Sequence, residues 1–151
     1  MLFRSRLTEV AKRRDPSRLV TAASGWNDRR TGDVVDYHTY PDPAALDCPE
    51  PARASVLGEF GGLGLAVEGH TWFPEGSSSY VMLPDADALL DRYLQQVSTL
   101  GDLARSGMSG AVYTEITDVE GEVNGLLTYD REWKVDPEAI AEAHQIGRAH
   151  V

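Results

Sequence analysis

Four short runs rich in β-branched, aromatic and aliphatic residues, 18–24, 33–40, 54–60 and 110–117, are separated by segments of helical periodicity or loop composition. Strands that alternate with helices are joined by crossovers, and crossovers imply parallel pairing. The reading is therefore an α/β fold. The clearest helix lies between the third and fourth runs, where Leu89, Leu90, Tyr93, Leu94, Val97, Leu100 and Leu103 recur at steps of three or four and make one apolar stripe. Asp85 or Asp87 can cap its start, and Gly107 stands where a helix end wants a left-handed residue. A basic segment, "LTEVAKRRDPSR", precedes the first strand, and Asp15-Pro16 stops it as a helix. A last helix over 136–145 opens with Asp136 as N-cap and Pro137 at its first position.

Polar residues collect where these strands end: "GWND" after the first, "HTYP" after the second, "EFGG" in the third and "TEITD" in the fourth. In a parallel α/β sheet or barrel, that carboxyl edge is where ligands bind. The most telling acid is Glu59 in "SVLGEFGGLG", with no Lys or Arg within five residues on either side. Net charge is −10 and the isoelectric point near 4.7, which argues against nucleic acid or an anionic membrane as partner. No apolar run approaches the ~20 residues of a membrane span. His38, His70, His144 and Cys48 show neither HExxH nor paired CxxC spacing, so no metal is expected. "GEFGGLG" departs from the dinucleotide fingerprint in spacing and in its acid, so no cofactor is expected.

The first five residues, "MLFRS", and the last six, "IGRAHV", read as translated sequencing adapter. Fold reasoning is therefore confined to 6–145.

Within that stretch, "RLVTAASGWND", "DVVDYHTYP", "SVLGEFGGLG" and "SGAVYTEITDVEGEVNGLLTYDR" together resemble the second half of the catalytic barrel of glycoside hydrolase family 2, the β-galactosidase and β-glucuronidase family. They follow the order of strands five to eight of a (β/α)8 barrel. The resemblance implies a partial TIM barrel and a retaining hydrolase of β-linked glycosides, acting on a carbohydrate substrate without a cofactor. It assigns Glu59 as the nucleophile. Gly58, Gly61 and Gly62 are expected to leave room for a sugar beside it. Tyr40 stands where the family carries a tyrosine that hydrogen-bonds the nucleophile; His38, which shares a strand face with Asp36 and Tyr40, is a candidate to bind a hydroxyl or the nucleophile. Glu115 falls near the sugar.

The tryptophan platform common on the last strand is missing from "VYTEIT", and Trp72 or Tyr113 is the candidate replacement. Asn27, with Trp26 and Asp28, follows the first strand. "TDVEGEVNGLLTYDR" reads mainly as a structural loop. The family's acid/base glutamate lies in an Asn-Glu pair, and no such dipeptide occurs here. Strands one to four and upstream β-sandwich domains are then the chain's expected partners, and the chain alone is expected to be inactive. The alternatives are a non-catalytic carbohydrate-binding or interaction fragment of the same fold, and a complete small α/β enzyme of another kind.

Overall fold

The computed structural model describes residues 2–25, 27–46 and 50–147, so Trp26, Cys48 and the final four residues lie outside it. Helix α1 spans Leu2–Arg14 and stops just before Asp15-Pro16, as the proline requires. Lys12, Arg13 and Arg14 occupy its last turn, where cations favour the negative end of the helix dipole. Lys12 also reaches Asp33 at 2.7 Å and so ties the helix to the start of the sheet.

The sheet has three parallel strands: β1 (Val34–His38), β2 (Ala54–Gly61) and β5 (Gly110–Thr114). They lie side by side in chain order, β1 against β2 and β2 against β5. Two shorter strands, β3 (Leu63–Gly64) and β4 (Val81–Met82), form a separate parallel pair. Helix α2 (Ala86–Arg105) crosses from β4 to β5, and α3 (Pro137–Ala143) follows the loop after β5. Among the described residues this is a mixed α/β molecule with three α-helices and parallel strands in open sheets. No described helix is long and apolar enough to cross a membrane.

The stripe on α2 does what its spacing requires. Leu89, Tyr93 and Val97 are buried against Leu63, Leu65, Leu126, Val135 and Ile140. Fully burying such a side chain contributes roughly 1.5–3 kcal/mol. Asp85 is the cap, accepting from the Ala88 amide at 2.8 Å, and Gly107 takes a φ of +107° beyond the last turn. Asp136 caps α3 through the Glu138 amide at 2.9 Å, with Pro137 at the first position.

The expected strand over 18–24 does not form. Only Thr21 pairs, in a parallel bridge with Val34 and an antiparallel one with Gly32. The Val20 amide and carbonyl are both taken by Asp33, by its side chain and its main chain. Leu19 is 73% exposed. An edge segment whose apolar residues find no surface to cover gains too little burial to repay its ordering. The expected strand over 110–117 is also shortened to end at Thr114, because the chain beyond it turns to pair with the 122–128 loop: the Glu115 amide meets Asn124 O at 3.4 Å, and Thr117 bridges Leu127.

Candidate active site

Glu59 sits near the carboxyl end of β2, where that strand falls out of step with both neighbours. Val34 to Tyr37 pair with Ala54 to Leu57 in single steps, but the next pair is His38 with Glu59. On the other side Leu57 pairs with Ala111 and Phe60 with Tyr113. Both irregularities put one extra residue in β2 between Leu57 and Phe60, and the pairing with β1 places it at Gly58. A bulge of this kind leaves one residue unpaired and re-aims its neighbours. Here it brings Glu59 level with His38.

Three groups then converge. The Tyr40 hydroxyl donates to Glu59 Oε2 at 2.8 Å, and His38 Nδ1 lies 3.1 Å from the same oxygen. Asp36 Oδ1 lies 3.6 Å from His38 Nε2, on the far side of the imidazole. The His38 side chain is 5% exposed and that of Glu59 is 39% exposed, so the carboxylate has one end anchored and the other open to solvent. Burial pushes the Tyr40 phenol up to about 12, the Glu59 carboxylate adds to the shift, and the Thr114 hydroxyl opposes it. The phenol therefore keeps its proton at neutral pH and remains a donor. Together the phenol and the imidazole fix the orientation of the carboxylate at the strand end.

The glycines around Glu59 make room for protein rather than for a ligand, which corrects the sequence expectation. A Cβ on Gly58 would lie 2.0 Å from Asp36 Oδ1, and one on Gly61 would lie 2.6 Å from the Tyr113 ring. The place beside Gly62 is filled by Tyr80, again at 2.6 Å. Gly25 does the same for His38: its φ is +60°, and an added Cβ would lie 2.6 Å from the imidazole. Tyr80 itself stacks on Tyr40, with ring centroids 4.0 Å apart and planes within 2°. Tyr80 and Thr114 escaped the sequence reading. Their contacts with Tyr40 bridge forty or more residues, and no local spacing encodes them.

Glu115 belongs to a different neighbourhood. Its charged neighbours are Glu122, Asp118 and Lys134; its Oε1 is buried without a hydrogen-bond partner; and burial pushes its carboxyl up to about 7. Beside it lies a buried ion pair, Lys134 Nζ to Asp118 Oδ1 at 2.7 Å, with the two side chains 0% and 3% exposed. Lys134 also donates to Val123 O at 2.9 Å, and Asp118 accepts from the Gly125 amide at 2.8 Å. The 118–135 loop is thus fastened by a charged knot, in keeping with its reading as structure.

The remaining candidates do not join Glu59. Trp72 is exposed and meets Phe73 and Tyr129 edge to face. Tyr113 packs edge-on against Phe60 and Tyr93, so its ring serves the core. Asn27 is exposed; its amide bonds Gly25 O, and its carbonyl accepts from Arg4. Asp28 pairs bidentately with Arg53, ahead of the start of β2 and so at the opposite end of the sheet, and that guanidinium holds the Asp28 carboxyl below the usual range.

What the arrangement offers chemically is one partly exposed carboxylate at a strand end, oriented by a phenol and an imidazole. A scan of protein-family models and a search of curated proteins found no match to this chain.

Proposed function

We propose that this chain is the carboxyl-terminal half of a (β/α)8 barrel from a retaining β-glycosidase, with Glu59 as the nucleophile. One observation carries the reading: a carboxylate at the end of a parallel strand, with the Tyr40 hydroxyl and His38 Nδ1 on the same oxygen. A retaining glycosidase needs such a group to attack the anomeric carbon and form a glycosyl-enzyme, and a second carboxyl about 5–5.5 Å away to protonate the leaving oxygen. The order β1, β2, β5, all parallel and each beside the next in chain order, with a single parallel bridge from Thr21 to Val34 at its edge, is that of a singly wound sheet and supports the barrel. In this reading Tyr40 and His38 hold Glu59 in line, with Asp36 behind the imidazole. The acid/base carboxyl comes from the other half, so the chain alone does not turn over.

The attack itself does not require that acid when the leaving group is good. The test is a 2-deoxy-2-fluoro glycoside with a dinitrophenolate leaving group, read by intact mass and peptide mapping. The expected result is a single sugar adduct on the peptide that contains Glu59, absent from Glu59→Gln. An adduct elsewhere, labelling that survives Glu59→Gln, or no labelling at all would overturn the assignment.

A further inference from the structure

We propose that the cleft between residues 78–80 and 122–124 is a binding subsite for an uncharged, hydroxyl-bearing ring, seated on the outer face of Tyr80. The cleft measures about 240 Å³ and is lined by Ser78, Ser79, Tyr80, Glu122 and Asn124. Pockets for drug-sized ligands run to roughly 300–1,000 Å³, so this one suits a single ring.

Its walls are built rather than incidental. The Ser78 amide donates to Gly121 O at 2.8 Å, and the Val123 amide donates to Ser78 O at 3.1 Å, which zips the two segments together. The Ser79 hydroxyl donates to Gly62 O. Tyr80 is held on one face by Tyr40 and along its edge by Gly62, yet remains 63% exposed. A flat aromatic surface presented in this way suits the C–H face of a sugar.

The polar lining asks for donors. Asn124 is 2% exposed and uses its Nδ2 on Thr114 O at 3.4 Å, while its Oδ1 has no partner among the described residues. That carbonyl is sealed from solvent, so the acceptors a ligand reaches in the cleft are the Glu122 carboxylate and the serine and tyrosine hydroxyls. Glu122 adds a carboxylate, with Glu115 close behind it. Lys134, the cation whose charge reaches Glu115, is wholly buried on Asp118 and does not line the cleft. A neutral polyol satisfies these acceptors, whereas a carboxylate-bearing ring meets like charge. Tyr80 joins the cleft to Glu59 through Tyr40. That the ring is the sugar attacked at Glu59 rests on the glycosidase reading.

The test titrates the isotope-labelled full chain with methyl β-galactoside and with methyl β-glucuronide, following amide shifts. The neutral glycoside is expected to move the amides of Tyr80, Glu122 and Asn124 and to bind at least fivefold tighter than the glucuronide. Tyr80→Ala should weaken it about tenfold and Tyr80→Phe should not. Glu122→Gln should bring the two probes within about twofold of each other in a natively dispersed spectrum. Unmoved amides in both segments, equal binding of the two probes by the unaltered chain, or a preference that survives Glu122→Gln would overturn the subsite. Shifts in the cleft without covalent labelling of Glu59 would leave the subsite standing and remove the nucleophile; labelling without those shifts would do the reverse.

Discussion

Two carboxylate centres lie at neighbouring strand ends, and they are built on opposite plans. Around Glu59 the protein supplies a phenol and an imidazole to one oxygen and leaves the other end of the group open. Around Glu115 it supplies burial, two further acids and a lysine already committed to Asp118. The first plan keeps a charge available for a partner. The second consumes charge to fasten a loop. The presence of an acid at a strand end therefore says little by itself; the donors aimed at it decide what it can do.

The sharpest break in that comparison comes from Lys134→Met. Removing one member of a fully buried pair strands the Asp118 carboxylate, at about 3–5 kcal/mol. Urea unfolding should report that loss, and a loss below about 1 kcal/mol would show that the knot is not structural.

Gly25→Ala should come next, on the Glu59 side. A side chain at φ +60° that also meets the His38 ring at 2.6 Å combines backbone strain with a clash, at about 2–3 kcal/mol. Labelling of Glu59 should fall with it, because the imidazole must move.

Glu115 sharpens the contrast through pH. Its carboxyl is raised to about 7 by burial, so the folded state favours the protonated form. That contribution is fully present below the unfolded value near 4.5 and is lost as pH rises through 7. Partial exposure moderates it to about 1–2 kcal/mol. The unaltered chain should lose Tm relative to Glu115→Gln between pH 5 and pH 8; parallel Tm curves would remove Glu115 from the buried cluster.

The smallest effect on stability is expected from Tyr40→Phe, within about 1 kcal/mol. The rate of covalent labelling should nevertheless fall at least tenfold. A variant that labelled normally would show that the phenol does not tune Glu59.

Local pattern foretold much of the frame. The α2 stripe, the Asp85 and Asp136 caps and the stop at Asp15-Pro16 are all written within a few residues of where they act. The face shared by Asp36, His38 and Tyr40 follows from the two-residue period of a strand, and the structure gathers Tyr40, His38 and Glu59 at one place. Three things were not legible. The segment 18–24 has a strand's composition but lacks a surface to cover. The glycines near Glu59 looked like open space because their occupants, Asp36, Tyr113 and Tyr80, are distant in sequence. Glu115 and Glu59 look alike as strand-end acids, and only the third dimension separates their surroundings.

The extra residue in β2 has a consequence for how this strand can change over time. Below Gly58 the ladder runs in even phase with both neighbours, and Leu57 is sealed from solvent. Above it the phase is offset by one, and the reactive end follows its own alternation. Core side chains in the lower half can therefore drift without rotating Glu59 away from its partners, because the unpaired residue at 58 absorbs the change of phase between the two halves.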